Sequence, residues 1–410
     1  MPQITKCRSC DEPIEAFMSF GEQPLANALI APERSSEQQL TYELAPTICS
    51  ACGLFQLLEQ PTATSIFTRK YPFFTSTSKY MSNHFSHLAR DLIQNDPTLK
   101  DGGFVIEIGS NDGTLLQSFA KAGINHLGFE PSESVANVAK NNGINTNISF
   151  FNSETASLIR QKYGPADIIL GANVIGHIAE INDIGSGVAS LLKDDGIFLI
   201  EAVYLGDMLL NTAFDQLYDE HVFTFSGTAV ANAFHKHGLE LINVERQSVH
   251  GGSMRYTLAP LGSHTCTAAV KNLLDEEKNR GLNNSATYIE FRQRCEAIRR
   301  DLPLLLSEIS GMGHKIVGYG ATAKSTTVLN YCGLGTNDIA WIQDSTKAKQ
   351  GMLSPQTLVP IVPPEYFREV SPEYAVLFAW NHRDEIEMLE REWRKKGGKW
   401  ILYIPKVTVA

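Results

Sequence analysis

Short apolar runs separated by stretches of helical length dominate the middle of the chain. Residues 104–108, 127–130, 168–172 and 197–201 are nearly continuous apolar text. Runs of this kind belong to strands buried on both faces, and their alternation with helix-length stretches predicts βαβ units on a parallel sheet. Upstream, Tyr80, Met81, Phe85, Leu88, Leu92 and Ile93 recur at roughly helical spacing and predict a helix over 78–95. Downstream, 239–249 and 253–258 read as strands joined by the turn His250-Gly251-Gly252. Residues 266–310 predict two long helices, after which strand and helix text alternates again at 315–319, 339–344, 374–380 and 400–404. The chain therefore reads as an α/β protein in three modules. They are a small cysteine-punctuated module at 1–65, a Rossmann-like domain at 66–265 whose residues 66–100 are a helical lead-in, and a second Rossmann-like domain at 266–410 entered through the helical bridge 266–310.

Composition adds little to that picture, but charge narrows it. The 410 residues are 43% hydrophobic and 20% charged, as in ordinary globular proteins, with a net charge of −10. A surface of that sign repels phosphate backbones, so no nucleic-acid partner is expected, and any anionic substrate must be collected by local basic groups. No apolar run approaches the roughly 20 residues that span a bilayer, and the first residues lack the apolar stretch of a secretory signal. A cytoplasmic protein without a membrane partner is expected.

Four of the seven cysteines stand in two tight pairs, Cys7-x-x-Cys10 and Cys49-x-x-Cys52. Two such knuckles supply four thiolates suited to tetrahedral zinc, and four protein ligands leave no open position, so the metal would be structural. A redox disulfide is the competing reading of the same pairs.

Two glycine loops compete for a nucleotide. The first runs Glu107-x-Gly109-x-Asn111-x-Gly113 after a predicted strand. It departs from the dinucleotide fingerprint G-x-G-x-x-G and matches the first motif of class I methyltransferases, with Asn111 at the middle glycine. Small residues there let the backbone pass close under a ligand. Glu107, or Asp112 in the turn, can face a cofactor's ammonium. Glu130, closing the next strand before Pro131, can accept both ribose hydroxyls, and Asn173 ends a further strand on the same crevice. The second loop, Gly318-Tyr319-Gly320-Ala-Thr-Ala, fits the dinucleotide fingerprint better. It is followed by Lys324 and, at the end of the next strand, by Asp344. NAD, or the phosphates of another nucleotide, would suit that geometry.

The segment 215–225 is dense in groups that move protons. Tyr218, Glu220 and His221 fall within four residues, and a histidine beside a carboxylate is a credible general base. His177, just past the strand at 168–172, is a second candidate.

Read in order, these pieces resemble the three-domain sugar C-methyltransferases that act on nucleotide-activated 4-keto-deoxysugars. The resemblance rests on the two cysteine pairs, Gly21-Glu-Gln-Pro-Leu-Ala-Asn27, the Glu107–Gly113 loop and Gly128-Phe-Glu-Pro-Ser132. It extends through Tyr204-Leu-Gly-Asp207, Phe214-Asp-Gln-Leu-Tyr-Asp-Glu-His221 and Val249-His-Gly-Gly-Ser-Met-Arg255, and ends in Gly318–Ser325 with Phe378-Ala-Trp-Asn-His382. It implies one structural Zn2+, S-adenosylmethionine as methyl donor with S-adenosylhomocysteine as product, and a C-terminal domain that binds nucleotide sugar and not NAD. It also implies His221 as the base, with Tyr218, Glu220 and His177 around it and a further tyrosine at Tyr71, within Tyr-Pro-Phe-Phe where relatives often read Tyr-Pro-Tyr. His250, Arg255, Tyr319, Lys324, Asn381 and His382 are the residues it offers to the substrate, a dTDP- or GDP-linked 4-keto-deoxysugar. Lys324 and Arg255 are the candidates for its diphosphate. The implied reaction removes the C-3 proton beside the ketone, with Glu220 orienting His221 or binding a sugar hydroxyl, and methylates the resulting carbanion. A small-molecule O- or N-methyltransferase and a zinc-ribbon RNA-modifying protein are the rival classes.

Overall fold

The computed structural model describes residues 3–69 and 73–410. The N-terminal module contains four short strands: β1 (Glu22–Pro24), β2 (Thr41–Glu43), β3 (Pro46–Ile48) and β4 (Phe55–Leu57). β1 pairs with β2, and β3 with β4, both antiparallel. Strands of three residues are too short to enclose a core alone; Phe20, Tyr42, Leu44, Leu54 and Phe55 are buried in a cluster continuous with the central domain, and the four cysteine sulfurs gather within the module.

The predicted lead-in helix is Lys79–Asn95, capped by Ser78, whose hydroxyl accepts from the Met81 N–H. It buries Met81, Phe85 and Leu88 against the central sheet, each worth about 1.5–3 kcal/mol relative to exposure.

That sheet has seven strands: β5 (Phe104–Ile108), β6 (Asn125–Phe129), β7 (Thr146–Asn147), β8 (Ala166–Ala172), β9 (Leu192–Val203), β11 (Leu239–Gln247) and β12 (Ser253–Pro260). The remaining strand of this part of the chain is β10 (Phe223–Thr224). The sheet order is β11-β12-β9-β8-β5-β6-β7, parallel except for β12, which runs antiparallel to both neighbours. The parallel strands were legible as apolar runs because helices cover both faces. The chain leaves β5 toward β6 and β7, then returns to build β8 and β9 on the other side. β5 is thus the topological switch point, where ligand crevices open.

The helical bridge is Ala268–Asn279 and Ser285–Gly311. The C-terminal sheet comprises β13 (Ile316–Tyr319), β14 (Ile342–Gln343), β15 (Ile361–Val362), β16 (Tyr374–Leu377), β17 (Lys399–Leu402) and β18 (Thr408–Val409), in the order β15-β14-β13-β16-β17-β18 with only β18 antiparallel. The strand expected at 374–380 ends at Leu377, and Trp380–His382 form a 3-10 turn.

The modules interlock. β10, from the central Rossmann-like part of the chain, pairs with β4 of the N-terminal module. Ile30 bridges to Leu353 of the C-terminal domain. Gly251 has φ +83, and a Cβ there would stand 2.4 Å from the Trp380 ring, so the turn after β11 lies flush against the C-terminal domain.

Candidate functional site

The segment 214–221 is held from all three modules. The Ala26 N–H donates to Asp219 Oδ1 at 2.8 Å, and Asn27 Nδ2 donates to Glu220 Oε1 at 2.7 Å. From the C-terminal domain, Thr327 donates to the Leu217 carbonyl, while Trp380 Nε1 and the Tyr403 hydroxyl donate to Asp215 Oδ2 at 2.7 and 2.6 Å. Gln216 Nε2 donates to the His250 carbonyl at 2.6 Å. A loop anchored so widely is pre-organised.

His221 sits at its end. Its Nδ1 lies 2.6 Å from the Gln216 carbonyl, which can only accept, so Nδ1 carries the proton and Nε2 offers a lone pair. The Tyr218 hydroxyl, 2.9 Å away, donates to that lone pair. Burial, with His177 beside it, pushes the His221 imidazole well below its ordinary range and keeps it neutral. Burial, with Glu220 and Asp219, pushes the Tyr218 phenol well up. The His177 ring stacks on His221 at 5.1 Å, and burial lowers its pKa to about 4. The fixed orientation of His221 comes from the Gln216 carbonyl, whereas Glu220 is engaged by Asn27. Tyr71 lies outside the described residues.

At the end of β5, Gly109 has φ +68, and a Cβ there would meet Val174 at 2.4 Å. Gly113 also takes a positive φ, and Asn111, at φ 50, fills the middle-glycine position. The Asn111 side chain serves the lead-in segment: Oδ1 accepts from Thr75 N–H and hydroxyl, and Nδ2 donates to the Phe73 carbonyl. Asp112 accepts from Ser76 N–H. Glu130 Oε2 accepts from the Asn111 N–H in the glycine turn and Oε1 from the Ser132 N–H just past Pro131, which fixes the carboxylate with lone pairs to spare. Asn173, at φ 55 beyond β8, donates its N–H to the Glu201 carbonyl.

Glu107 is buried, its Oε2 has no hydrogen-bond partner, and burial, with Asp112 and Glu130 nearby, pushes its carboxyl well up. An unpaired buried carboxyl asks for a cation. The ammonium of S-adenosylmethionine would satisfy Glu107, and a ribose diol would satisfy Glu130, so the residues present fit this cofactor.

In the N-terminal module the sulfurs of Cys7, Cys10, Cys49 and Cys52 all lie within 4.8 Å of one another, with Cys7–Cys52 at 3.6 Å and Cys10–Cys49 at 3.5 Å. Zinc–sulfur bonds of about 2.3 Å in a tetrahedron place sulfurs about 3.8 Å apart. Gln56 Nε2 donates to Cys7 Sγ at 3.1 Å, as expected around a metal-bound thiolate. The cluster fits zinc, and none of the four is in a disulfide.

Two expected substrate residues are placed differently. Arg255, on β12, is buried with its guanidinium on Glu201 at 2.9 Å and Glu245 at 3.3 Å, so the cation proposed for a diphosphate is already neutralised within the chain. Tyr319, ending β13, packs edge-on against Trp400 and Phe367 and donates to Glu390 at 2.9 Å, as a core residue of the C-terminal domain. His250, Asn381 and His382 do lie where the two domains meet. Burial lowers the His250 pKa to about 4 and keeps it neutral, with the Lys324 ammonium adding to that effect and Glu201 opposing it. Asn381 Oδ1 is buried without a partner.

Sequence reasoning missed the carboxylates Asp215 and Glu201 and the histidine His84, whose Nε2 donates to Glu201 Oε1 at 2.7 Å. Burial pushes the Glu201 carboxyl up, but His84 and Arg255 more than offset it. Only Asp215 carried a sequence signal, at the head of the proton-moving segment.

Three families account for the chain in order: a zinc binding domain at 7–67, a methyltransferase domain at 80–244 and a C-methyltransferase C-terminal domain at 248–405. A curated relative, C-methyltransferase NovU of Streptomyces niveus, is 34% identical over 409 residues, spanning 99% of this chain and 97% of its own. The chain belongs to the three-domain sugar C-methyltransferases. Ubiquinone biosynthesis O-methyltransferase of Bartonella tribocorum is 27% identical, over 23% of the chain and 39% of its own. Magnesium protoporphyrin IX methyltransferase from Synechocystis PCC 6803, solved with bound S-adenosylhomocysteine, is 16% identical at a TM-score of 0.35, covering 44% of this chain and 83% of its own. By its family models and its full-length relative, the chain is an S-adenosylmethionine-dependent C-methyltransferase with a zinc-binding N-terminal domain. Among the described residues no helix is long and apolar enough to cross a membrane.

Proposed function

We propose that the protein methylates C-3 of a dTDP- or GDP-linked 4-keto-deoxysugar in the cytoplasm, with the Tyr218–His221 pair accepting the C-3 proton. The observation that carries this reading is the state of His221: neutral, buried, proton-bearing at Nδ1 and presenting Nε2 to the Tyr218 hydroxyl. A hydrogen beside a ketone is weakly acidic, and a fixed neutral imidazole is the side chain suited to take it near neutral pH. The C-methyltransferase named as a full-length relative supports bond formation at carbon.

Glu107, Glu130 and the backbone of the Gly109–Gly113 turn hold the cofactor, which when bound supplies an electrophilic methyl group. Tyr218 relays the proton to His221 Nε2 or moves aside to admit it. His177, stacked on His221 and neutral, holds that ring in plane and excludes water. Burial around both rings keeps the enolate from competing protonation. His250, Asn381 and His382 receive the nucleotide sugar at the domain junction. Glu220, tied to Asn27, keeps the N-terminal module on the catalytic loop. Tyr71 stays in the proposal on the strength of the resemblance. The zinc at the four cysteines is structural.

The test is hydrogen exchange at C-3. dTDP- and GDP-linked 4-keto-6-deoxyhexoses are incubated in D2O with S-adenosylhomocysteine in place of the donor. Loss of the C-3 proton signal is expected for at least one sugar. His221→Asn should slow both exchange and methylation by about 10²–10⁴-fold, with S-adenosylhomocysteine affinity unchanged. Retention of the proton across the panel, or full activity of the variant, would overturn the mechanism.

A further inference from the structure

Lys324 is 9% exposed, in the first turn of the helix Ala323–Cys332, and its ammonium makes no hydrogen bond or ion pair among the described residues. Its helix is pinned beside the catalytic loop, Thr326 donating to the Ala26 carbonyl and Thr327 to the Leu217 carbonyl. Asp215, on that loop, is fully buried; Trp380 and Tyr403 saturate Oδ2, while Oδ1 has no partner. The two charges attract each other without closing an ion pair, and Lys324 also acts electrostatically on His221, His250 and His382. A lysine in a buried position and a buried carboxylate oxygen, close enough to attract yet neither hydrogen-bonded within the chain, are costly unless a guest supplies an acceptor to one and a donor to the other.

We infer that Lys324 and Asp215 form a two-point receptor for a hydroxy-ketone: the Lys324 ammonium donates to the carbonyl oxygen beside the reacting carbon, and Asp215 Oδ1 accepts from the neighbouring hydroxyl. The assignment rests on the function proposed above and moves Lys324 away from the diphosphate. A diphosphate brings about two negative charges, and Asp215 already cancels Lys324 in this pocket. The nearby Lys349 is spent on Asp344 and on the Ala321 carbonyl, and His177, His221 and His250 are held neutral. A net-neutral pocket disfavours a standing dianion and suits a neutral carbonyl that becomes anionic only as the reaction proceeds. The C-3 hydrogen leaves as a proton to the Tyr218–His221 pair, the C–H electron pair becomes the C-3–C-4 double bond, and the carbonyl π pair moves onto oxygen beside Lys324. When the C-3–C-4 double-bond pair forms the new bond to the methyl group, the donor's S–CH3 pair stays on sulfur to leave a thioether, the pair on the C-4 oxygen returns and the ketone re-forms.

Lys324→Met and Lys324→Gln test this without a donor methyl group. With dTDP-4-keto-6-deoxyglucose and S-adenosylhomocysteine in D2O, C-3 exchange should slow about 10²–10³-fold in both, the loss typical of one oxyanion donor. Calorimetric affinity for TDP and for GDP should stay within about threefold of the parent, below the tenfold that 1.4 kcal/mol represents. Exchange at the parent's rate, or a TDP or GDP affinity weakened beyond tenfold, overturns the assignment, the latter by returning Lys324 to the diphosphate. Loss of S-adenosylhomocysteine binding in both variants would make Lys324 a structural lysine and overturn it as well. If the parent itself exchanges nothing, the proposed function fails and takes the receptor with it. If the parent exchanges and the variants keep pace, the receptor alone fails.

Discussion

The two glycine loops invert what their spacing suggests. The turn at Gly318–Ala323 fits a dinucleotide fingerprint, yet its polar groups are satisfied from within the chain. Thr322 caps the following helix by accepting from Ser325 N–H. Lys349 donates to the Ala321 carbonyl at 2.7 Å, and Asp344 accepts from Thr346 N–H and pairs with Lys349. The turn at Gly109–Gly113 fits the fingerprint poorly, yet it keeps a buried carboxyl without a partner at Glu107 and an oriented carboxylate at Glu130. A glycine turn after a strand is a backbone solution that many domains need. What marks a ligand site is the polar group left for something outside the chain to satisfy.

The strongest way to break this contrast is to put a methyl group in each turn. Gly109→Ala combines positive φ with a contact at 2.4 Å to Val174 Cγ2, and Gly320→Ala combines φ +91 with a contact at 2.7 Å to Ala379 Cβ. Strain and overpacking each cost about 1–3 kcal/mol. Both variants should therefore melt lower. Gly109→Ala should also bind S-adenosylhomocysteine about 100-fold more weakly, if some 3 kcal/mol of the disturbance falls on the site, whereas Gly320→Ala should bind it as the parent does. Equal losses in calorimetry would mean that the second turn also serves the cofactor.

Much of the fold was legible, and the reason is local. Parallel strands covered by helices are apolar residue after residue, so 104–108 and 168–172 announced themselves, as did the amphipathic helix Lys79–Asn95. The two-residue strands β7 and β15 and the three-residue strands of the zinc module carry too few positions for any period to register. The site was legible in its residue types but not in its pairings. Whether Arg255 is free for a phosphate depends on Glu201, 54 residues away, and whether Tyr319 faces a ligand depends on Glu390, 71 residues on. Asn27 reaches Glu220 across 193 residues. Composition and spacing do not report such partners.

A finer test separates the two loops by pH. With its carboxyl pushed up by burial and by Asp112 and Glu130, Glu107 holds a proton in the empty site above the ordinary carboxylate range. An arriving ammonium favours the carboxylate, so cofactor binding should release a proton. Affinity for S-adenosylhomocysteine should then fall as the pH drops below the raised pKa and level off above it. Calorimetry in buffers of different ionisation enthalpy would read the released proton directly. Glu107→Gln should abolish the release and weaken binding about tenfold, the equivalent of 1.4 kcal/mol. A parent that releases no proton would remove Glu107 from the ammonium.

The smallest effect is expected at Asp344, the residue that spacing would have given to an NAD ribose. Its carboxylate caps Thr346 at 2.8 Å and lies 3.6 Å from Lys349. Asp344→Asn keeps an oxygen for the cap and loses only the charge, so stability should fall by about 1 kcal/mol or less, and S-adenosylhomocysteine affinity should not move. NADH fluorescence should be unchanged on titration with either protein, because Lys349 already occupies the loop carbonyl and cancels the acid on which a ribose would depend. NADH binding by the parent that Asp344→Asn removes would show that internal satisfaction had been misjudged, and that the second loop opens to a dinucleotide after all.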